Sequence, residues 1–514
     1  MNRLTLFLAA FCLFLFVSET VAATKKPNVL ILMTDQHHAD WIGCLGKFPV
    51  KTPNLDRLAA EGTLFTRSFV PVTFCSPTRI ALLTGQYPGT LRIDRNMSRE
   101  IDDDPIGLRD PAATFHQRLA EAGYKNHHLG KWHAGNPRNL SCFQDAENDT
   151  TAPHRRYNQG LRAAGEDAFD AKRPGEVDAK QNIFRLDSLT ERYERFLLEK
   201  PEGMQDIALI GRHRIKDAFQ FESVLADYCI ELIRKHHRNN EPFAITYSVS
   251  PPHAANAAPL PYYDRYDPKT LPLPKTWNVV SPLYEKTMSA KYATIYGEEG
   301  LREYLRCYSA QVSMIDAYIG RILDALRDAG ILDNTLIVFY SDHGNLCGHH
   351  GMIDKACGAF YDDLCRVPTI VRFPGVFPTG KREDRFVTTM DVAPTILDSV
   401  GATPLEDVAG KSFRNMANGG PAIHDAVFAE RGWLPPREGT IFRMIRTDEW
   451  KMVLASNGRK ELYDLVADPD ETADLGGTSE HAAVVADLTK RLVEHMNRVD
   501  DPGRAKFRLP GIVE

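Results

Sequence analysis

A cysteine, a proline and an arginine share one short stretch at the start of an apolar run: Cys75, Pro77 and Arg79. Proline is tolerated in the first turn of a helix, and the free N–H groups and dipole there attract an anion. The spacing therefore favours a nucleophile presented at a helix N-terminus beside an anion. The same residues also fit a small buried cysteine next to a surface charge, and the residues by themselves leave both interpretations open.

Two apolar runs of strand length are each followed by an acid. The runs are residues 28–33 and 335–340, and the polar residues that follow them are Asp35, Gln36, Asp342 and His343. Strands that are apolar on both faces suit the centre of a parallel sheet, and ligands gather at the carboxyl ends of such strands. The pattern predicts a metal site at this edge of the sheet. The alternative is that each aspartate only caps the turn that follows it.

Basic residues lie on or directly after two further segments that we interpret as extended. Lys131 and His133 alternate on one side of the segment 124–133, and His253 comes after the buried strand 242–249. Lone lysines and histidines are more often solvated than catalytic. A histidine at this sheet edge nevertheless suits acid–base work, because its ordinary pKa lies near neutrality.

The elements that must position these residues alternate between strands and helices over most of the chain. We predict an α/β fold: a large doubly wound α/β sandwich domain over 24–400 and a smaller C-terminal α+β subdomain over 401–514, with an antiparallel sheet plus a helix. Residues 136–220 show no strong period, and we interpret them as a substrate-side insertion. A length of 514 residues with 43% hydrophobic residues provides a core for both domains.

The first 23 residues have a charged start, a short apolar core and small residues at their end, which is typical of a signal peptide. We therefore expect an exported protein, in a periplasmic, secreted or lysosome-like compartment according to the host. No later run is apolar enough for us to expect a stable membrane span. A net charge of -6 argues against nucleic acid as a partner.

The stretch from Cys75 to Gly85 reads Cys-x-Pro-x-Arg, three residues, then Leu-Thr-Gly. It resembles the signature of the type I sulfatases, a family of the alkaline phosphatase superfamily. The resemblance implies that Cys75 is oxidised to formylglycine, with a formylglycine-generating enzyme as the maturation partner. In that family one hydroxyl of the hydrated aldehyde attacks the sulfate ester, and the other later expels sulfate.

The resemblance also implies one divalent cation. Its ligands would be Asp35, Gln36, Cys75, Asp342 and His343. The usual set in the family carries three carboxylates, whereas this one has two, an amide and an imidazole. Calcium comes first because it prefers oxygen ligands, and magnesium, manganese and zinc remain alternatives. Asp-Gln and Asp-His pairs also occur in relatives such as choline sulfatases and phosphonate monoester hydrolases.

A second motif, Gly-Lys-Trp-His at residues 130–133, is similar to another sulfatase signature. By this resemblance Arg79, Lys131 and Lys355 contact or neutralise the sulfate, and His133 acts as a base. His253 would be the general acid or would stabilise the leaving group. Two residues are assigned to substrate binding on the same ground, namely Asn96 and His350.

Together these features predict a sulfuric ester hydrolase that removes sulfate from a sulfated glycan. The main alternative is a phosphonate or phosphate diester hydrolase of the same superfamily. A second alternative, from another class, is an inactive glycan-binding relative.

Overall fold

The computed structural model describes residues 25–93, 95–97, 113–135, 141–143, 146–168, 183–184, 210–356, 358–432 and 439–510. The predicted signal peptide and most of the predicted insertion lie outside the described residues. Within the insertion, the structure describes a helix over Ala146–Ala164, which the sequence pattern had not indicated.

The strands, in chain order, are β1 Asn28–Asp35, β2 Thr63–Phe69, β3 Lys125–Gly130, β4 Ile183–Phe184, β5 Ile210–His213, β6 Phe243–Pro252, β7 Asn256–Ala258, β8 Thr335–Ser341, β9 Arg366–Arg372, β10 Lys381–Glu383, β11 Val387–Thr388, β12 Val427–Arg431, β13 Phe442–Arg446, β14 Trp450–Ala455 and β15 Lys460–Asp464. The helices are α1 Pro53–Ala60, α2 Cys75–Thr84, α3 Phe115–Glu121, α4 Ala146–Ala164, α5 Phe221–Asn239, α6 Met288–Asp328, α7 Asp362–Cys365, α8 Thr389–Val400, α9 Arg414–Ala417 and α10 Ala482–Arg498.

The large sheet has the strand order β10-β2-β9-β8-β1-β6-β3, with β11 beside β2. β1 pairs in parallel with both β6 and β8, and β3 pairs in parallel with β6. β9 runs antiparallel to its two neighbours, β2 and β8. Every residue of β1 is buried, as the continuous apolar run predicts for a central strand.

Side chains of β1 alternate between two cores, one on each face of the sheet. Leu30 and Leu32 belong to the core that includes residues of α5 and α6, whereas Val29, Ile31 and Met33 belong to the core of α2, α3 and α8. Helices therefore cover both faces, and the predicted doubly wound α/β domain is confirmed.

A second sheet, β12-β13-β14-β15, is antiparallel throughout and packs against α10 through a core of its own. This confirms the predicted C-terminal antiparallel sheet plus helix. Packing of the large domain continues past residue 401, because Leu405, Phe413 and Met416 still lie in the core beside α8.

The topology brings four strand ends to one edge. β1, β3, β6 and β8 are parallel, so the residues that follow them lie on the same side of the large sheet. The small domain reaches this edge, since the N–H of Glu430 in β12 donates to the carbonyl of Pro71, 2.7 Å away, four residues before α2 begins. Among the described residues, no helix combines the length and the apolar composition of a membrane span.

Candidate active site

Cys75 is the first residue of α2 and is 1% exposed. Phe74 before it is extended, with φ −141°, so the chain turns into the helix at the cysteine. The side chain of Asn96 accepts from the N–H of Ser76 at 3.1 Å, and the N–H of Met97 donates to Ser76 Oγ at 3.1 Å. Asn96 therefore satisfies a free N–H group of the helix beside the cysteine. Its predicted contact with substrate stays a prediction.

Arg79, one turn further along α2, joins the two strand-end aspartates. Its Nε lies 2.8 Å from Asp342 Oδ2, and its Nη2 lies 3.0 Å from Asp35 Oδ2. Its Nη1 donates to the carbonyl of Lys131 at 2.7 Å and to Ser248 Oγ at 2.9 Å. All five donor positions of a guanidinium point in fixed directions, so Arg79 sets the relative position of three strand ends.

The ring of His343 presents a lone pair to the same space. Its Nδ1 lies 2.9 Å from the carbonyl of Gly344, which can only accept, so Nδ1 carries the hydrogen. Its Nε2 then faces Cys75 Sγ at 3.3 Å and lies 4.0 Å from Asp35 Oδ1 and 3.9 Å from Asp342 Oδ1. A histidine whose other nitrogen donates to a carbonyl is oriented as metal-ligating histidines are.

The donor set fits a divalent cation. One ligand atom from each of Asp35, Cys75, Asp342 and His343 lies within 4.8 Å of the others, and all four residues are buried. Two carboxylate oxygens and the imidazole Nε2 face each other here, and Cys75 Sγ contacts both Asp35 Oδ1, at 3.8 Å, and His343 Nε2. Burial alone would lower the pKa of His343, yet Asp342 and Cys75 raise it above its ordinary value. This position therefore attracts positive charge.

Position 75 itself favours an anion. Burial would raise the pKa of the Cys75 thiol, but Lys355, Lys131 and His343 outweigh burial and hold the pKa well below its ordinary value. The surroundings of position 75 therefore stabilise negative charge there. We call Asp35, Cys75, Arg79, Asp342 and His343 the reactive cluster.

The Gly-Lys-Trp-His segment follows β3 and enters the cluster. Lys131 Nζ donates to Asp35 Oδ2. His133 Nε2 lies 3.2 Å from the carbonyl of Met97, so Nε2 carries the hydrogen and Nδ1 keeps its lone pair. That Nδ1 is buried and has no hydrogen-bond partner among the described residues. An imidazole held in this form is ready to accept a proton, which suits the predicted base.

His253 and Lys355 form a pair beside the cluster. His253 Nδ1 lies 2.8 Å from the carbonyl of Ala254, so its Nε2 accepts the hydrogen bond from Lys355 Nζ at 3.0 Å. In this form His253 carries no proton toward Lys355, and the proton is held by the ammonium group. The predicted general acid is thus part of a two-residue proton site. Its role stays a prediction.

Gln36 adjoins the cluster through its backbone and its amide. Its N–H donates to Asp342 Oδ1 at 3.0 Å, and its φ of 66° is in the left-handed region. Its Nε2 donates to Asp354, and its Oε1 lies 3.4 Å from Lys355 Nζ. Sequence reasoning missed Asp354, although it directly precedes Lys355.

His350 lies in a neighbouring cluster. Its ring stacks on Tyr361 with centroids 3.6 Å apart, and its Nε2 is 3.5 Å from Asp363 Oδ2. None of its described contacts reaches the reactive cluster, and its predicted role in substrate binding stays a prediction.

Asp363 also contacts His38 and His349, and the ligand atoms of these three residues lie within 4.8 Å of one another. The N–H of Asp40 donates to His38 Nδ1 at 3.0 Å, so His38 Nε2 bears the hydrogen that it donates to Asp363. In this form His38 Nε2 has no lone pair to offer a metal, and the sequence analysis had not singled out this group.

Comparison with known proteins agrees with this geometry. A family model described as Sulfatase matches residues 27–402, and one described as N-sulphoglucosamine sulphohydrolase, C-terminal, matches residues 348–498. The N-acetylglucosamine-6-O-sulfatase of Bacteroides thetaiotaomicron is 25% identical over 569 residues, covering 97% of this chain and 91% of that protein.

Two solved structures share the fold. The phosphonate monoester hydrolase of Agrobacterium radiobacter has a TM-score of 0.75 at 23% identity, covering 93% of this chain and 97% of that one. A 2-O GAG sulfatase has a TM-score of 0.68 at 23% identity, covering 93% of this chain and 94% of that one.

Proposed function

This chain belongs to the sulfatase family and is a sulfuric ester hydrolase, and from that premise we propose that it removes sulfate from a sulfated glycan. We further propose that it does so with a formylglycine made from Cys75 and with one divalent cation, calcium in the first place. The observation that carries the proposal is the convergence of Asp35, Cys75, Asp342 and His343 at the N-terminus of α2.

Two groups complete this site when they are present. A formylglycine at position 75 supplies, as its hydrate, a hydroxyl nucleophile and a second hydroxyl, which a thiol lacks. A bound divalent cation supplies positive charge that stabilises the transition state.

The residues of the chain divide the remaining work. Arg79 holds Asp35 and Asp342 in place, and Lys131 and Lys355 provide N–H donors for charge that develops on the sulfate oxygens. His133 Nδ1 is available to take a proton from a group at position 75. The Lys355–His253 pair holds a proton for the leaving alcohol, which matters most for sugars because alcohols are poor leaving groups.

A carbohydrate substrate is supported by the named relatives, which include an N-acetylglucosamine-6-O-sulfatase and a 2-O GAG sulfatase. We also propose export, on the strength of the first 23 residues. Protein recovered from the medium or the cell envelope should then begin near residue 24 when its N-terminus is sequenced.

The decisive experiment is a desulfation screen. Enzyme co-expressed with a formylglycine-generating enzyme is incubated with defined glycosaminoglycan and algal oligosaccharides, and released sulfate is quantified. The matched control is Cys75→Ala from the same host. Release of sulfate by the parent enzyme alone supports the proposal. Equal signals from both proteins, or none from the parent across the panel while it hydrolyses other esters, would overturn it.

A second candidate is a phosphonate or phosphate diester hydrolase. It is favoured by Gln36, an amide where the usual sulfatase set has its third carboxylate, by the Asp342-His343 pair, and by the fold shared with a phosphonate monoester hydrolase. Rates on an aryl sulfate and on the phenyl ester of a phosphonate, measured on one preparation, separate the two. An inactive glycan-binding relative is disfavoured because the reactive residues lie together.

A further inference from the structure

Asp354 lies in the loop between β8 and α7 and is 7% exposed. Its φ of 63° is uncommon for a residue other than glycine, although aspartate tolerates it. Backbone contacts fix the loop on both sides of its carboxylate. The carbonyl of Asp354 accepts from the N–H of Leu346 at 2.9 Å, and the carbonyl of Lys355 accepts from Ser289 Oγ at 2.6 Å.

The amide of Gln36 lies between two charged groups of opposite hydrogen-bonding character. Its Nε2 donates to Asp354 Oδ1, and its Oε1 accepts from Lys355 Nζ at 3.4 Å. A carboxylate can only accept hydrogen bonds, and an ammonium can only donate them. The flipped amide would set oxygen against oxygen at Asp354 and N–H against N–H at Lys355. Only one orientation of Gln36 is therefore satisfied at both ends.

This orientation decides what Gln36 can do at the cation site. The residue is held beside that site by its N–H bond to Asp342 Oδ1 at 3.0 Å. Oε1 is the only side-chain atom of Gln36 that can bind a hard cation. With Nε2 committed to Asp354, Oε1 is directed to the opposite side of the amide, away from that carboxylate.

We propose that Asp354 is a positioning residue that fixes the amide of Gln36 with Oε1 on the side of Lys355, so that the oxygen and not the NH2 group is presented to a bound cation. The inference rests on the cation of the proposed function. Outer-layer partners of metal ligands typically contribute about 10–100-fold in metal affinity.

An ion pair with Lys355 is the simpler role for Asp354, because Lys355 Nζ lies 3.9 Å from Asp354 Oδ1. The two roles predict different results when Lys355 is changed. If Asp354 acts through Gln36, Lys355→Met leaves cation affinity unchanged or raises it, since a positive charge is removed. If Asp354 acts only through Lys355, the loss of either residue has the same effect on cation affinity.

The test measures calcium and manganese affinity of the purified full chain by competition with a chelating dye, with Cys75 left as a thiol. Asp354→Asn keeps the shape of the side chain but allows the Gln36 amide to turn over. We expect this variant to bind the cation about 10–100-fold more weakly, and its thermal shift on cation addition to shrink. An affinity within twofold of the parent would overturn the inference.

A charge swap then separates positioning from folding. The double variant Gln36→Glu with Asp354→Asn keeps one carboxylate and one amide in contact, in reversed order. Because Gln36→Glu by itself adds an anionic ligand, the double variant is compared with that single variant. A carboxylate presents an oxygen in either orientation, so we expect Asp354→Asn not to weaken cation binding in the Gln36→Glu protein. A purely structural role of Asp354 predicts the same loss with either residue at position 36, and that result would also overturn the inference.

These measurements do not depend on hydrolysis. A chain that shows the Asp354 effects but hydrolyses no sulfate ester would contradict the proposed function and leave the positioning role in place. Normal sulfatase activity together with unchanged cation affinity in Asp354→Asn would support the proposed function and contradict the positioning role of Asp354.

Discussion

Two groups of buried charges in this protein differ in how their charged atoms are paired. The reactive cluster was defined above. The interface cluster consists of Asp362, Arg446, Lys451 and Glu471, and it joins α7 of the large domain to the small sheet. Lys451 is 0% exposed, and its Nζ lies 3.0 Å from the carbonyl of Phe360, 2.5 Å from Asp362 Oδ1 and 2.6 Å from Glu471 Oε1.

The Lys451 ammonium donates hydrogen bonds to Phe360 and Asp362 and forms an ion pair with Glu471, and Arg446 lies 3.3 Å from the other oxygen of Asp362. Every charge of the interface cluster thus has a partner of opposite charge within the protein. In the reactive cluster, by contrast, Asp35 Oδ1 and His343 Nε2 lie 4.0 Å apart, and Cys75 Sγ, the proposed site of modification, contacts both. A closed cluster stabilises one arrangement of two domains. A cluster whose polar atoms are not all paired within the protein is suited to binding a ligand or an ion. This difference separates buried charges that bind ligands from buried charges that stabilise the fold.

The largest effect is expected at position 75. Cys75→Ala removes the nucleophile from an otherwise intact helix start, so activity should fall by on the order of 10⁴-fold or more. The melting temperature should remain close to that of the parent, and the cation should still bind through Asp35, Asp342 and His343. Peptide mass spectrometry of active enzyme should find an aldehyde or its hydrate at this residue, and activity should follow the modified fraction. Full activity with an unmodified thiol would contradict the formylglycine proposal.

Removing one negative charge from the reactive cluster should reduce activity somewhat less than the loss of Cys75. Asp342→Asn keeps the shape of the ligand but removes its charge, and we expect turnover to fall by about 10²–10⁴-fold, as it should on chelation of the parent. Measuring the metal content of the purified proteins checks that bound metal and turnover are lost together. Asp362→Asn, in the interface cluster, is the matched control and should retain the metal. Full activity in metal-free parent protein would refute the cation.

Breaking the closed cluster should instead reduce stability. Lys451→Met leaves Asp362 and Glu471 buried without their shared cation, and we expect the free energy of unfolding to fall by about 3–5 kcal/mol. Urea unfolding measures the change, and the folded fraction should keep its activity. Lys460→Met, at the exposed start of β15, is the control and should change stability by less than about 0.5 kcal/mol. A small loss in Lys451→Met would show that the cluster is not essential to docking.

A smaller effect should follow from a buried base at the same domain interface. His495 stacks on Phe428 with centroids 3.8 Å apart and meets the edge of Tyr87, and burial followed by Arg498 lowers its pKa to about 3. In the unfolded chain the His495 ring binds a proton near pH 6.5, whereas in the folded protein it stays neutral until about pH 3. The folded state therefore has its full stability above pH 6.5 and loses stability as the pH falls toward 3.

Between pH 7 and pH 5 the parent should therefore lose about 1–2 kcal/mol more than His495→Phe, measured by urea unfolding at both values. The phenylalanine keeps the stacking but cannot titrate. Equal losses in the two proteins would assign the acid sensitivity to other groups.

Much of the fold could be predicted because its signals are local. β1 and β8 were recognised from continuous apolar runs, and α2 from the spacing of Cys75, Pro77 and Arg79. Less could be predicted where a contact joins distant segments. Nothing near Asp354 in the chain indicates that its partner is Gln36, 318 residues away. The packing of Leu405, Phe413 and Met416 in the core beside α8 likewise depends on contacts between segments that the sequence does not show.

The sequence by itself determined which chemical groups are present, where each strand ends and which stretches resemble a sulfatase, because residue type and periodicity are properties of neighbouring positions. Only the tertiary structure decided which ring nitrogen of each histidine carries the hydrogen and which keeps its lone pair. Carbonyls of Gly344, Met97 and Ala254 set the hydrogens of His343, His133 and His253, and so direct three different lone pairs. Hydrogen bonds are short and directional, and the orientation of a lone pair is settled only when every neighbour of the ring is in place.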